Sequence, residues 1–281
     1  MTQAISGTLS DEQVLAEAQL LDNAEADATQ VRPVTEVHPD VTLDDAYRIQ
    51  SAWRDLKLGR GEKIVGHKIG LTSRAMQATM NIETPDSGFL TEAMVIEPGT
   101  TLDASRLCDP KLEIELAFML ATDLSVDHGA DLTVDDILDA TEYVVPAVEL
   151  IDARSWRRNP ETGRTRKVFD TIADNAADAG IICGGRKVGP REVDLRWIGA
   201  LGERNGVIEE TGLAAGVLGH PAIGVAWLAK RFAQQGMQLE AGQIVLAGSF
   251  TRPIDVRPGD EFRFDYGELG SFELSWSGRA V

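Results

Sequence analysis

The alternation of apolar and polar residues is clearest in two segments in the middle of the chain. Residues 111–118 read KLEIELAF, and residues 143–150 read YVVPAVEL. A period of two predicts β-strands, and the bulk of the apolar side chains indicates that these strands lie in the interior. Glu113 and Glu115 are two residues apart, so they project from the same face of the first strand. Glu149 stands near the end of the second strand.

These three glutamates are the first candidate for a functional site. Neighbouring carboxylates repel each other unless a proton or a cation lies between them, and a buried pair has to be neutralised. Three carboxylates on two strands would offer the oxygen ligands that Mg²⁺ or Mn²⁺ prefers. A Glu-x-Glu pair is also typical of a solvent-exposed strand face, so the spacing by itself leaves both interpretations open.

Other segments predict a mixture of helices and short strands. Helical periodicity indicates helices near residues 10–30 (capped by Ser10 or Asp11), 42–58, 133–141, 190–201 and 221–235, and a short helix with Met76 and Met80 after Ser73. Apolar runs between turn signals predict strands near residues 64–69, 89–90, 95–97, 112–120, 143–150, 179–183, 206–209, 243–248 and 261–265. This mixture is typical of an α+β protein with a large mixed or antiparallel sheet. The chain has no G-x-G-x-x-G loop, which disfavours a dinucleotide-binding fold.

Charge and composition narrow the classes of partner. The 281 residues carry a formal net charge of -18, which argues against nucleic acid and anionic membrane surfaces as partners. Residues 211–229 lack charged side chains but include several glycines and Pro221, so they predict a glycine-rich loop followed by a helix rather than a membrane span. Cys108 and Cys183 are expected to be reduced, and no signal peptide is recognised. These features predict a cytoplasmic protein.

Six motifs in a fixed order carry a resemblance to a known family. They are GHKIGLTS at 66–73, PDSG at 85–88, EIELAF at 113–118, PAVELIDAR at 146–154, FDTIADNA at 169–176 and LEAGQIVLAGSFT at 239–251. With them the chain resembles the fumarylacetoacetate hydrolase superfamily, from residue 35 to residue 275. The resemblance is greatest to its branch of hydratases and decarboxylases that handle 2-hydroxydienoate acids in aromatic meta-cleavage pathways.

The resemblance implies a fold and an organisation of the chain. The expected fold is an α+β, fumarylacetoacetate-hydrolase-like mixed β-roll with a helical N-terminal part. Residues 1–35 would form an acidic helical extension, residues 36–94 an α/β subdomain, and residues 95–281 the C-terminal catalytic β-roll. Members of the family form homo-oligomers built from dimers, up to larger rings such as a decamer, so the same is expected of this chain.

The resemblance also assigns roles to residues. It implies that Glu113, Glu115 and Glu149 hold the metal, with Mg²⁺ first and Mn²⁺ second. Lys68 is the expected proton carrier, because a lysine beside a cation in a closed site is expected to have a lowered pKa. Asp86 would pair with Lys68 or position water, although it also suits a plain turn.

Further residues are candidates for holding substrate or supporting the site. Arg154 and Lys167 are candidates for binding a substrate carboxylate, and each is also a candidate for an ordinary ion pair. Ser249 and Thr251 could donate hydrogen bonds to the C1 carboxylate. His67 is expected to point away from Lys68 and to be structural. Asp170, Asp174 and Asn175 would support the site or begin a helix.

The resemblance implies the addition of water to a small dicarboxylate. Segments 159–162, 166–171 and 204–212 favour 2-oxohept-4-ene-1,7-dioate as substrate and 4-hydroxy-2-oxoheptane-1,7-dioate as product, in homoprotocatechuate breakdown. The enzymatic alternatives are a 2-oxo-3-hexenedioate decarboxylase and a 2-oxopent-4-enoate hydratase. The non-enzymatic alternative is a scaffold partner in a complex of hydratase and decarboxylase.

Overall fold

The computed structural model describes residues 7–73, 77, 84–124 and 131–278. Its helices are α1 (Asp11–Ala26), α2 (Val34–Val37), α3 (Leu43–Gly59), α4 (Val134–Asp139), α5 (Val168–Ala173) and α6 (Pro221–Gln234). Its strands are β1 (Ile64–Gly70), β2 (Asp86–Thr91), β3 (Val95–Ile96), β4 (Thr101–Asp103), β5 (Pro110–Leu120), β6 (Thr141–Asp152), β7 (Asp178–Cys183), β8 (Gly199–Arg204), β9 (Val207–Leu213), β10 (Ile244–Leu246), β11 (Ile254–Asp255), β12 (Glu261–Asp265) and β13 (Ser271–Ser277). The helix expected around Met76 and Met80 lies outside the described residues.

Two sheets organise the described residues. The larger sheet has the strand order β2-β1-β10-β5-β6-β7-β3, and β11 also pairs with β5. The smaller sheet has the order β4-β13-β12-β8-β9. Most neighbouring strands are antiparallel, whereas β1 with β10, β3 with β7 and β4 with β13 are parallel. The predicted α+β class with a mixed sheet is therefore confirmed.

Strand β5 separates two different environments. Its even-numbered side chains enter the main core, together with residues of β12, β13 and α6; they are Leu112, Ile114, Leu116, Phe118 and Leu120. Its odd-numbered side chains face the other way, where Ala117 joins a smaller core with Ala147 and Leu246. The alternation in the sequence thus arises because one face of β5 packs on the main core, whereas the other face carries the glutamates.

The N-terminal helices form a core of their own. Buried side chains of α1 and α3 pack with Ile172 and Ala173 of α5. Ser10 caps α1 in a reciprocal arrangement with Gln13, which confirms one of the two predicted caps. The division of the chain into residues 1–35, 36–94 and 95–281 stays a prediction. The larger sheet contains strands from both sides of residue 95.

The prediction of a helix over residues 190–201 is wrong. Only a single 3₁₀ turn, Leu195–Trp197, forms there, and Asp194 caps it. Residues from Gly199 onward enter strand β8, which pairs with β9. Asn205 and Gly206 connect these strands with positive φ angles of 53° and 80°, a turn that favours a hairpin. Strand pairing therefore outweighs the local helical pattern.

Helix α6 follows the glycine-rich segment as predicted. Pro221 occupies its first turn, and the His220 ring accepts a hydrogen bond from the Ala222 N–H. In the part of the chain that the structure describes, we find no helix long and apolar enough to cross a membrane.

Candidate metal and proton-transfer site

The register between β5 and β6 brings the three glutamates together. Glu113 lies directly opposite Glu149, and Glu115 lies opposite Ala147 on the same face. One carboxylate oxygen from each glutamate lies within 4.8 Å of the others. Two long central strands therefore fix the relative positions of these carboxylates, which is the arrangement that the sequence predicts.

Two of the three glutamates are removed from solvent. Glu115 and Glu149 are fully buried, and Glu113 is half-buried. Burial, with Glu149 and Glu113 as neighbours, raises the pKa of Glu115 well above its usual value. Burial also raises the pKa of Glu149 to about 7, although Lys68 opposes the shift. The exposed-strand interpretation of the Glu-x-Glu pair is therefore wrong.

Lys68 reaches the glutamates from β1. Its side chain is 3% exposed, and its Nζ lies 3.1 Å from Oε1 of Glu149. The same Nζ donates a hydrogen bond of 2.9 Å to the carbonyl oxygen of Ala176. Burial by itself would lower the pKa of Lys68, but Glu149 and three other carboxyl groups raise it above its usual value. With no cation at the glutamates, nearby negative charge outweighs desolvation; the lowered pKa expected of Lys68 beside a bound cation stays a prediction.

Asp86 faces the same space from the first position of β2. It pairs with Gly70 across the β1–β2 ladder, and a side chain on Gly70 would meet the Asp86 carboxylate at 2.2 Å. Burial raises the pKa of Asp86, while Lys68 and Arg166 pull it down. Its Oδ1 is buried without a hydrogen-bond partner among the described residues. Asp86 is therefore a buried acid rather than only a turn residue.

A tight turn after α5 supports Lys68. Asn175, Ala176 and Ala177 have positive φ angles of 50°, 52° and 64°, which side-chain-bearing residues adopt infrequently. The Asn175 amide accepts a hydrogen bond from the Phe89 N–H and donates one to the Phe89 carbonyl. These contacts hold the turn against β2, so that the Ala176 carbonyl faces Lys68. Such strain is common at functional sites.

The loop after β10 closes the other side of the glutamates. Gly248 has φ +113° and donates its N–H to Oε2 of Glu115 at 2.8 Å. Ser249 uses its hydroxyl within the turn, next to the carbonyl oxygens of Ile114 and Thr251. The Thr251 hydroxyl is buried and has no hydrogen-bond partner within the described part of the chain. Both predicted hydroxyl residues are therefore in the loop that contacts Glu115.

Arg154 and Lys167, the two residues predicted to bind a substrate carboxylate, differ in burial. Arg154 is fully buried, with its Nε 2.7 Å from Asp174 and its Nη2 donating to the carbonyl oxygens of Asp174 and Asp178. Its guanidinium also stacks over the Trp53 ring at 5.0 Å. Lys167 is exposed at the N-terminus of α5. The structure thus commits Arg154 to an internal ion pair and does not place Lys167 beside the glutamates.

His67 and the other acidic candidates have structural contacts. The His67 ring lies on the opposite strand face from Lys68 and packs edge-on against Phe232 at 4.7 Å, as expected. Asp170 accepts hydrogen bonds from the N–H and hydroxyl of Thr35. Asp174 binds Arg154, as described above.

Two further residues belong to this region, although the sequence does not single them out. Asp178 is fully buried, and burial together with Glu149 raises its pKa well above the usual value. Arg166 affects the pKa of Asp86 from a segment 80 positions away in the printed sequence. Asp178 begins β7 and Arg166 precedes α5, so only the tertiary fold reveals their proximity; no local motif signals it.

We define the acidic cluster as Asp86, Glu113, Glu115, Glu149 and Asp178. These five carboxyl groups surround the single ammonium of Lys68. Within the described residues, Glu115 Oε1, Asp86 Oδ1 and Asp178 Oδ2 are buried without hydrogen-bond partners. Burying an ionised group typically costs several kcal/mol unless it is paired. A hard divalent cation bound by the glutamates fits both the surplus of negative charge and the unused oxygen atoms.

Comparisons with known proteins identify relatives of the whole chain. No family model matches the chain. It is 55% identical to 2-oxo-hept-4-ene-1,7-dioate hydratase of Escherichia coli, over 90% of this chain and 94% of that protein. It is also 39% identical to 4-oxalocrotonate decarboxylase of Pseudomonas sp. (strain CF600), over 94% of this chain and 97% of the relative.

Two solved structures resemble the fold of this chain. The 4-oxalocrotonate decarboxylase from Pseudomonas putida G7, complexed with magnesium and adipate, superposes with a TM-score of 0.89 at 39% identity. The match covers 96% of this chain and 100% of that one. A yeast fumarylacetoacetate hydrolase family protein shares the fold at a TM-score of 0.53 and 13% identity, over 79% of this chain and 96% of its own. The chain therefore belongs to the family of these 2-oxo acid hydratases and decarboxylases, and it has the fumarylacetoacetate hydrolase fold.

Proposed function

We propose that the protein is a metal-dependent hydratase that adds water to 2-oxohept-4-ene-1,7-dioate, the keto form of 2-hydroxyhepta-2,4-diene-1,7-dioate. The product would be 4-hydroxy-2-oxoheptane-1,7-dioate, in homoprotocatechuate breakdown. The observation that carries the proposal is the buried glutamate triad with Lys68 in ion-pair contact with it. The 55% identity to a hydratase of this substrate supports the choice of reaction.

Glu113, Glu115 and Glu149 would hold the cation, with Mg²⁺ as the first candidate and Mn²⁺ as the second. The magnesium in the structure of the related decarboxylase supports this order. When bound, such a cation supplies Lewis acidity that polarises the carbonyl of a 2-oxo acid. The Gly248 N–H fixes one oxygen of Glu115, which leaves Oε1 of that carboxylate free.

Lys68 and Asp86 would move the protons. Lys68, whose Nζ lies 3.1 Å from Oε1 of Glu149, would carry the proton that is delivered to C5 of the dienol. Asp86, whose pKa is raised by burial, would accept a proton from the water that adds at C4. The protons released by the C2 hydroxyl and by this water balance those that C5 and C3 gain.

Thr251 would hydrogen-bond the C1 carboxylate, and Ser249 would do so once its hydroxyl turns away from the carbonyl oxygens of Ile114 and Thr251. The unused Thr251 hydroxyl and the position of both residues beside Glu115 support this assignment. Arg154 would act as a positioning residue, because its guanidinium holds Asp174 at the base of the turn that binds Lys68. Lys167 remains a candidate for a substrate carboxylate only if a neighbouring segment or subunit brings the two together.

A second candidate function is decarboxylation of 2-oxo-3-hexenedioate. The structural match to 4-oxalocrotonate decarboxylase, with a TM-score of 0.89, favours it as the alternative. Product mass distinguishes the two reactions. Incubation with the seven-carbon 2-hydroxydiene diacid should give a product heavier by one water, and the ultraviolet absorbance of the diene should disappear. Loss of CO₂ from the six-carbon substrate, with no hydration of the seven-carbon one, would overturn the hydratase proposal.

We also propose a homo-oligomer built from dimers, up to a decamer, in the cytoplasm. The surplus of negative charge supports a small-molecule substrate over nucleic acid or a membrane. A purely scaffolding role would leave the buried acidic cluster without a purpose. A scaffold would also lose nothing when Glu113 is replaced by alanine, whereas the proposed enzyme would lose its activity.

A further inference from the structure

Arg166 is a buried cation whose charge is not matched by a carboxylate of its own. Its side chain is 10% exposed. Oδ2 of Asp174 lies 3.6 Å from Nη1 of Arg166, which is too long for a hydrogen bond. Nη1 has no hydrogen-bond partner among the described residues. A guanidinium in such a position needs an anion.

Asp174 cannot supply that anion, because it is already engaged. Its Oδ1 lies 2.7 Å from Nε of Arg154, and its Oδ2 accepts the backbone N–H groups of Arg154 and Ser155. Two buried guanidinium groups thus share one carboxylate. Burial, with Arg157 as a neighbouring cation, lowers the pKa of Arg166 to about 10, so it stays charged near neutral pH.

The contacts of Asp174 place Arg166 near the proton-transfer residues. Asp174 precedes by two positions the Ala176 carbonyl that binds Lys68 Nζ at 2.9 Å. Two residues of chain span at most about 7 Å, so Arg166 and Lys68 are held by neighbouring points of one turn. The charge of Arg166 also lowers the pKa of Asp86, which agrees with a position close to that carboxyl group.

The glutamate triad and the Gly248 loop lie beyond Lys68 from this turn. Lys68 contacts Glu149 through the same Nζ that binds the turn. A substrate whose 2-oxo acid end lies at the triad, with its reacting carbons between Lys68 and Asp86, would therefore extend its far end toward Arg166. Arginine binds a carboxylate through two parallel hydrogen bonds, which gives both affinity and orientation.

We propose that Arg166 binds the distal carboxylate of a dicarboxylate substrate and sets the preference for diacids over monoacids. This inference rests on the proposed function for the location of the 2-oxo acid end. The residue is a specificity determinant in this role. Its guanidinium pairs with the distal carboxylate of a diacid. When a monoacid binds, the guanidinium stays buried and unpaired, which lowers the affinity for the monoacid.

The test compares two ligands that differ only at the far end. Affinities of 2-oxoheptanedioate and 2-oxoheptanoate are measured by calorimetry with the full chain in excess Mg²⁺. The wild-type protein should bind the diacid about 10- to 100-fold more tightly, as expected for a charge-assisted hydrogen-bonded pair. Arg166→Gln should abolish this preference and change the affinity for the monoacid by less than about threefold. Arg166→Lys should retain part of it, because the charge remains without the two-pronged geometry.

Arg231 provides a matched control. Its guanidinium lies over the Tyr47 ring at 3.6 Å, beside His67 and Ser87 on the opposite face of the β1–β2 ladder, and it also lowers the pKa of Asp86. Arg231→Gln should therefore keep the diacid preference. Equal loss in the two glutamine variants would mean long-range electrostatics and overturn the inference. So would equal weakening of both ligands by Arg166→Gln.

The wild-type comparison keeps the inference falsifiable if Arg166→Gln does not fold. A wild-type protein without diacid preference contradicts the proposed role directly. Failure of the proposed function is distinguishable from failure of this inference. A preference for the diacid that depends on Arg166, without hydration of the seven-carbon diene, would contradict only the hydratase assignment. Hydration of the diene, with no effect of Arg166 on the preference for the diacid, would contradict only the role of Arg166.

Discussion

Lys68 shows how one side chain can depend on several elements of the fold. Strand β1 carries it, the turn after α5 accepts its hydrogen bond, and β6 provides its ion pair with Glu149. Its raised pKa follows from the carboxyl groups that surround it, which outweigh the effect of burial. Lys68 is thus suited to donate a proton near neutral pH.

Lys68→Met should lower kcat for hydration by about 10²- to 10⁴-fold, the usual contribution of a general acid. Mg²⁺ should bind at least as tightly as in the wild type, because the variant removes a positive charge 3.1 Å from a glutamate oxygen. Steady-state kinetics and calorimetry measure the two effects separately. A variant with nearly normal kcat would exclude Lys68 as the proton donor.

His67 gives a prediction for stability against pH. Burial lowers the pKa of His67 from its ordinary value of 6.5 to about 4, so the unfolded chain binds more protons between these values. Stability should therefore fall as the pH decreases through this window, by about 2 kcal/mol between pH 7 and pH 5 from His67. Denaturant unfolding at several pH values should show that the free energy of unfolding depends less steeply on pH in His67→Gln than in the wild type. Identical pH dependences would contradict the buried, neutral state of the ring.

The three glutamates of the candidate metal site illustrate what sequence can predict at this scale. Strand alternation places Glu113 and Glu115 on one face, and a second apolar strand ending near Glu149 suggests a partner. Their burial and their separation, within 4.8 Å, depend on the β5–β6 register. Asp178 and Arg166 could not be predicted, because their chemistry comes from packing between distant segments.

At the scale of elements, the loop after β10 depends on one glycine. Gly248 has φ +113°, and a Cβ there would lie 2.1 Å from Oγ1 of Thr72. Its N–H orients Glu115, so the loop and the carboxylate are coupled. This loop therefore connects backbone conformation directly to the candidate metal site.

Gly248→Ala should destabilise the protein by about 1–3 kcal/mol and weaken Mg²⁺ binding, because the loop must shift away from Thr72 and from Glu115. Gly242→Ala is the matched control. Gly242 also has a positive φ, of 81°, but a Cβ there meets no atom within 4 Å. Chemical denaturation and metal titration of both variants should show weaker Mg²⁺ binding only for Gly248→Ala. Equal effects would mean that backbone strain, rather than the Thr72 contact and the Glu115 hydrogen bond, dominates.

The sequence predicts elements well where periodicity and caps agree. Ser10 at the start of α1 and Pro221 at the start of α6 are examples. The predicted helix over residues 190–201 is wrong, because the turn at Asn205 and Gly206 allows residues from Gly199 onward to pair with β9 as strand β8. Strand β13 was not predicted, although Phe272, Leu274 and Trp276 alternate with exposed residues. Its partners, β12 and β4, supply the pairing that local sequence does not reveal.

On the scale of the whole molecule, the smaller sheet exposes an apolar surface. Trp197, Leu201 and Leu213 are 71%, 41% and 43% exposed, and they lie on or next to β8 and β9. A surface of this kind is typical of an interface, and a second copy of this chain is the occupant that the proposed dimer requires.

Light scattering of the wild-type protein should therefore give a mass of at least twice 30.4 kDa. Replacing Trp197 and Leu213 together by aspartate should reduce that mass, because charges would be buried in the interface. An aspartate at Leu15, which is 51% exposed on α1, serves as a control that should leave the mass unchanged. A monomeric wild type would contradict the assembly, and an unaffected double variant would place the interface elsewhere.

The fold class and family follow from six motifs spread over the chain, whereas the assembly depends on surfaces that no motif describes. These scales meet at the three glutamates on β5 and β6. The most direct measurement is the hydration rate of the seven-carbon diene by metal-stripped protein as Mg²⁺ is added back. We expect no rate without metal, saturation with Mg²⁺, and no recovery in Glu115→Gln. Full activity in the presence of excess EDTA, or full recovery in Glu115→Gln, would contradict the account.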